Sequence, residues 1–282
     1  MRWSHLTFLG AALLCLSQAA LGELIFSVTA THKGKPIPKE KIQLKPFEFG
    51  ISRNGESKQV WTSKSRKVRR ANPTATSANW CGAVKSTSSS SQITKIHALY
   101  QHPGCSIRSG VNSYPQAVAP WVGIDGNTHT GALFQSGTLC KINNSTGIAE
   151  HEAWWQWVPA AAYTISSLTV SAGDWIEVTI EATSTTSGKV TIANWNTATA
   201  YVVSVSSGPT LGRVDADWVV ERPYYGASLA PFAAFEDVWF IEAYAERTSG
   251  GNLGILGATQ YQIPGLCASE EYDNESQVSW SL

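Results

Sequence analysis

The sequence predicts an all-β sandwich, and three observations carry that prediction. Apolar and polar residues alternate at a period of two, as where Ile176, Val178, Ile180 and Ala182 interleave with Trp175, Glu177, Thr179 and Glu181. Gly, Ser, Thr and Asn turns punctuate the chain at short intervals, leaving room for short strands. A helical period is almost missing, and regular strands without helices favour two packed sheets.

In chain order, residues 1–22 carry Arg2, an apolar run Phe8–Leu16 and a small-residue exit Ala20–Gly22. This predicts a secretory signal, too short for a membrane span. Residues 23–70 hold twelve Lys/Arg against four Glu and close on the basic run Lys64–Arg70, a site of the kind kexin-like proteases cut after Arg70. Residues 71–282 hold eight Lys/Arg against seventeen Asp/Glu, so the formally neutral chain divides into a basic leader and an acidic domain. That domain is long enough for one core and short for two. The expected organisation is signal 1–22, basic propeptide 23–70 and one domain 71–282. The leader should sit on the domain as its inhibitor, and acid should loosen it by protonating domain carboxylates.

Within the domain, Lys85–Ser91 reads as a flexible turn. Trp121–Gly126 is an aromatic-apolar run into a Gly-flanked turn, and Thr130–Gln135 a short strand that places Gln135 on one face with Leu133. Trp175–Ala182, Lys189–Trp195 and Tyr201–Val205 form a meander. Ala216–Glu221 is a strand that ends in a carboxylate, with Glu221, Val219 and Asp217 on one face and Trp218 and Val220 on the other. Phe232–Glu246 has a helix-friendly Ala and Glu content, but aromatic and β-branched residues crowd Val238–Glu246, which is read as a strand. Val278–Leu282 closes the domain. The mature cysteines Cys81, Cys105, Cys140 and Cys267 predict two disulfides in an oxidising route. Three pairings are possible, and sequence separation alone slightly favours Cys81–Cys105 with Cys140–Cys267. Asn143, Asn144 and Asn274 begin glycosylation sequons, the first two overlapping.

Five pieces stand in one order: Trp121-Val-Gly-Ile-Asp-Gly126, Gln135-Ser-Gly137, Ala153-Trp-Trp-Gln-Trp-Val-Pro159, Ser171-Ala-Gly-Asp174 with Glu181–Ser184, and Trp218-Val-Val-Glu221. Together they resemble the glutamic peptidases, or eqolisins, secreted acid endopeptidases of filamentous fungi, over about Ser77–Trp239. The resemblance implies two large bent antiparallel sheets, similar to a legume lectin, and a catalytic dyad that carries over to Gln135 and Glu221. It implies a supporting role for Asp125, expected to hydrogen-bond within its own turn, and a cleft-lining place for Trp121. Two departures from the family pattern stand out: Gln156 and Val158 stand where it has Glu and Tyr, and Arg222-Pro223 follow the second motif's Glu221 in place of Asp-Phe.

The residue chemistry agrees with this reading. A carboxylate of ordinary pKa about 4.3 remains partly ionised in moderate acid, where a histidine base is silenced. An uncharged amide can donate to an oxyanion at any pH. His151-Glu152 lacks the second His of a zinc-protease helix, and no G-x-S-x-G, D-[ST]-G pair, CxxC or phosphate loop occurs. No metal or cofactor is expected, and an acidic domain argues against nucleic acid. A monomeric extracellular protein acting on peptide substrates, with no membrane partner, is the resulting expectation. The competing reading is a carbohydrate-binding or glycan-cleaving sandwich, favoured by twelve Trp but lacking carboxylates paired across a cleft.

Overall fold

The computed structural model describes residues 24–55, 72–143 and 145–280. The signal at 1–22, the cut after Arg70 and Asn144 lie outside the described residues. The leader contributes strands β1 (Ile25–His32), β2 (Leu44–Pro46) and β3 (Phe49–Gly50). The domain opens with β4 (Trp80–Ser86), β5 (Ile93–Gln101), β6 (Ala117–Ile124), β7 (Leu133–Ile142) and β8 (Ala149–Val158). It continues with β9 (Tyr163–Ile165), β10 (Trp175–Ala182), β11 (Gly188–Asn194), β12 (Thr199–Ser207) and β13 (Asp215–Glu221). It ends with β14 (Tyr224–Tyr225), β15 (Val238–Arg247), β16 (Thr259–Gln262), β17 (Cys267–Tyr272) and β18 (Glu275–Trp280).

Two large sheets result. The front sheet runs β2-β9-β8-β7-β6-β13-β4-β16, with Thr74–Thr76 added in parallel at its edge. The back sheet runs β1-β12-β11-β10-β5-β15-β18-β17 and is antiparallel throughout these neighbours. The all-β expectation is met, and β15 confirms the strand reading of Val238–Glu246.

The period-two alternation explains why these strands pack as two layers. In the front sheet Trp218, Val220, Val122, Ile124, Phe134, Trp155 and Trp157 turn inward, where they meet Ile176, Val178, Ile180, Val190, Ile192 and Val203 of the back sheet. Phe134 stacks on Trp157 with ring centroids 4.1 Å apart. The buried Trp218 indole satisfies its N–H on the His97 carbonyl at 2.9 Å, as most buried polar groups do. Gly137 is required where β7 crosses β6, because a Cβ there would lie 2.2 Å from the Pro120 carbonyl oxygen.

Two expectations need correction. The strand foreseen at Thr130–Gln135 begins at Leu133 and runs to Ile142. The preceding loop is committed elsewhere, since the backbone N–H groups of Asn127, Thr128 and His129 all donate to Asp215. The disulfides are Cys81–Cys267 and Cys105–Cys140, with Cα separations of 6.4 and 6.1 Å. Separation along the chain was a poor guide because the sandwich brings β4 and β17 together across 186 residues. The first bridge therefore staples the front sheet to the back one.

The leader is built into both sheets. Strand β1 pairs with β12 at the back-sheet edge, and its Phe26 packs against Trp155 and Tyr163 with centroids 4.9 and 5.2 Å apart. Strand β2 extends the front sheet beside β9, and β3 pairs with β14. Among the described residues, no helix is long and apolar enough to cross a membrane.

Candidate active site

The outer face of the front sheet holds the candidate residues, because the alternation that sends Trp218 inward sends Asp217, Val219 and Glu221 outward. Register fixes their neighbours. Gly123 pairs with both Gln135 and Asp217, and Gln135 also pairs with Gln156, so Asp217, Gly123, Gln135 and Gln156 form one row across four strands. Trp121 pairs with Val219 and Gly137, and Glu221 pairs with Ala119 and Trp80. Gly123 is needed within the row: a Cβ there would meet the Trp121 ring at 2.9 Å and the Gln135 Cβ at 3.1 Å. The Trp121 indole thus lies between the two halves of the expected dyad. It donates Nε1–H to Glu221 Oε2 at 3.0 Å and is wholly buried.

Glu221 is also fully buried and bonded on its other oxygen. Its Oε1 accepts from Asn79 Nδ2 at 3.2 Å, from the Ser52 backbone N–H at 3.0 Å and from the Ser52 hydroxyl at 3.2 Å. Burial pushes its carboxyl up to about 8, outweighing the bonds from Ser52, Asn79 and Trp121, which act in the opposite direction. Gln135 presents its amide nitrogen to Gln156 Oε1 at 3.2 Å, while its own carbonyl oxygen is buried without a hydrogen-bond partner. No hydrogen bond joins Gln135 to Glu221 among the described residues.

Residues 47–55 of the leader lie over this face. Phe47 stacks on Trp154 at 5.5 Å, and Phe49 and Ile51 are buried in the outer-face cluster with Trp80, Trp121, Trp154, Leu133 and Val219. The backbone is then held by polar contacts: Trp80 Nε1–H donates to the Ser52 carbonyl at 3.0 Å, Asn79 Nδ2 to the Arg53 carbonyl at 3.1 Å, and the Asn54 N–H to the Gly126 carbonyl at 3.1 Å. Charge contributes one pair of each polarity here. Lys45 of the leader meets Glu152 at 3.4 Å, and Glu48 of the leader meets Lys141 at 3.0 Å. Apolar burial and hydrogen bonds therefore make more of this contact than the leader's net charge does.

Asp125 occupies the turn with φ +71°, but it does not bond within that turn as expected. It accepts the backbone N–H groups of Arg213 and Val214, each at 2.8 Å, on the approach to β13. Asp215, at the start of β13, returns the clamp to the loop after β6 through Asn127, Thr128 and His129. The pair locks the strand of Glu221 to the strand of Trp121, so the contribution of Asp125 is to alignment. Burial raises its pKa, partly opposed by the two backbone bonds.

Several residues of the site were missed from the sequence. Asn79 gave only the weak signal of an Asn before a Trp-led strand, and Ser52 lies in a leader read for its charge alone. Asp217 was noticed as a face-mate of Glu221. It proves wholly buried, with both oxygens unpartnered, and burial together with nearby Asp215 and Asp125 raises its pKa strongly. Asp217 does not face Glu221 across a cleft, so the geometry a glycosidase needs is missing here. Asn143 bonds Glu150 across its own loop, and Asn274 is an exposed turn residue. No grouping of three His, Cys, Asp or Glu suited to a metal ion occurs among the described residues.

The sequence and fold both match known proteins. A family model described as the peptidase A4 family matches residues 78–281. Aspergillopepsin-2 of Aspergillus niger is 36% identical over 207 residues, spanning 66% of this chain and 70% of its own length. A scytalido-glutamic peptidase solved with a transition-state analogue inhibitor aligns at TM-score 0.63 and 25% identity, over 72% of this chain and 98% of that one. The aspergilloglutamic peptidase from Aspergillus niger aligns at TM-score 0.55 and 33% identity, over 58% and 99%.

Proposed function

The chain belongs to the peptidase A4 family of glutamic peptidases, hydrolases acting on peptide bonds, and on that premise we propose that Glu221 and Gln135 carry its chemistry. The Glu221 carboxylate takes a proton from water, and the resulting hydroxide attacks the scissile carbonyl carbon. The Gln135 amide donates to the oxyanion as it forms. Glu221, now protonated, returns that proton to the leaving amine nitrogen as the C–N bond breaks. The observation that carries this reading is the environment of Glu221: a wholly buried carboxyl on the Trp121 indole, on the same sheet face as an amide whose N–H end is held in place.

The finer reading is a secreted zymogen. A signal at 1–22 is removed, residues 23–70 form the inhibitory leader, and a cut after Arg70 frees the domain at 71–282. Latency has a local cause. Ser52 fills the hydrogen-bonding positions on Glu221 Oε1 that an attacking water would use. Burial beneath the leader also keeps Glu221 protonated below about 8, which silences it as a base. Once uncovered, the carboxyl is rehydrated and its pKa falls toward the ordinary range, as moderate-acid activity requires. Lacking an aspartic pair, the enzyme is insensitive to pepstatin, acts as an extracellular monomer on protein and peptide substrates, and carries sugar at Asn274 and at Asn143 or Asn144.

The test is proteolysis of a denatured protein across pH 2–7 with pepstatin present, comparing the processed wild type with Glu221→Gln and Gln135→Ala. Loss of at least a hundredfold in both variants is expected, since one oxyanion donor is worth about 10²–10³ in rate. Full activity in either would remove that residue from the mechanism. The alternative, a glycan-binding or glycan-cleaving protein, would be favoured by an inactive processed wild type that instead retains polysaccharide.

A further inference from the structure

A carboxamide is nearly symmetric in shape, yet only one of its ends can serve an oxyanion. If Gln135 turned over, its carbonyl oxygen would stand where a donor is required. What fixes the orientation is therefore part of the machinery, and strand β7 does not supply it: the Gln135 carbonyl oxygen has no hydrogen-bond partner. The fixing contact comes from β8. Gln156 Oε1 accepts from Gln135 Nε2 at 3.2 Å, and Gln156 Nε2 donates to the Ala160 carbonyl at 3.0 Å. A backbone carbonyl can only accept, so Ala160 dictates which end of Gln156 it meets. That leaves the Gln156 oxygen facing Gln135, and a flipped Gln135 would set two oxygens against each other.

We propose that Gln156 is a positioning residue that transmits the polarity of the Ala160 carbonyl to Gln135, and that it does so without titrating. The proposal rests on the assignment of Gln135 as oxyanion donor. Each link in this relay is a carboxamide or a backbone carbonyl, so it holds the same arrangement at pH 2 and at pH 7. A glutamate at position 156 could reproduce both contacts only while protonated, its O–H reaching Ala160 and its carbonyl oxygen accepting from Gln135. Ionised, it would lose the Ala160 bond and set a negative charge beside the donor that must stabilise an oxyanion.

The experiment is steady-state proteolysis by processed wild type, Gln156→Leu, Gln156→Glu and Gln135→Ala across pH 2–7, with thermal melting to confirm folding. Gln156→Leu should lower kcat about tenfold to a hundredfold at every pH, the scale of a roughly 1 Å misplacement of a catalytic group. Its KM should stay within about twofold of wild type, because the contact orients a donor and does not bind substrate. Gln156→Glu should approach wild-type kcat at the acid end and then decline with an additional ionisation as pH rises. Wild-type kcat and pH profile in Gln156→Leu would overturn the proposal. Should that variant fail to fold, a wild-type profile in Gln156→Glu would overturn it equally. The outcomes separate the two readings: an impaired Gln135→Ala beside wild-type Gln156 variants removes the relay alone, whereas a fully active Gln135→Ala removes the dyad and the relay with it.

Discussion

The two faces of the front sheet are built from the same strands and differ in nearly everything else. Inward, β13 offers Ala216, Trp218 and Val220 to the apolar core between the two sheets. Outward, the intervening residues offer Asp217, Val219 and Glu221 to a face that is covered by the leader. The inner face is apolar packing between the two sheets, which the leader's Phe26 joins at Trp155. The outer face carries a glutamate held protonated by burial, an aspartate with no partner and an amide with an unpaired carbonyl, features that cost stability and belong to function. A side-chain period of two lets one strand carry both duties only one residue apart.

Substitutions on the two faces of β13 sharpen this contrast most. Glu221→Gln should remove activity while leaving the fold intact, whereas Trp218→Ala should cost about 3–5 kcal/mol of stability through the cavity it leaves. Activity assays and denaturant unfolding of both variants check the division, and equal effects in both assays would break it. A leader-containing form should also lose stability as pH rises. The folded pKa of Glu221 is raised to about 8, so its contribution is fully present below the unfolded carboxylate value and is lost as pH rises through about 8. Melting from pH 4 to 9 should show this decline in the pro-form and a flatter curve in its Glu221→Gln variant. Asp217→Asn should act with the same sign: burial and nearby Asp215 and Asp125 raise its pKa well above the ordinary range and make ionisation unfavourable, so the variant should gain stability near neutral pH and little in acid. The smallest effect belongs to the charge pairs of the leader. Lys45→Ala should weaken inhibition by the separate 23–70 peptide only slightly, as partly exposed pairs are worth about 0–1 kcal/mol, whereas Ile51→Ala should weaken it markedly. A reversed ranking in inhibition constants would return the leader to an electrostatic account.

How much of this was legible in the sequence follows from what each signal depends on. The strands of the sandwich were legible because alternation is local, and β15 was separated from a helix by its β-branched and aromatic start. Glu221, Gln135 and Trp121 were reached through ordered motifs and strand parity. The disulfide pairing was not, because which cysteines meet depends on the packing of two sheets and not on chain distance. Asn79 and Ser52 were missed for the same reason: each reaches Glu221 from a distant part of the chain, 142 and 169 residues away. The partner of Asp125 was misplaced because its oxygens were assumed to serve the nearest N–H groups, while the segment before β13, 88 residues on, supplied the donors.

The ladder between β1 and β12 has a consequence for the proposed activation by a cut after Arg70. Cutting a peptide bond after the leader changes connectivity but breaks none of the eight-residue pairing that runs from Ile25–Ser207 to His32–Thr199. A freshly cut molecule would therefore be a two-chain particle, complete at its back-sheet edge and still shuttered at its front. Its first turnover would wait on the departure of a strand, a first-order clock set by an off-rate and independent of how much processing protease is present.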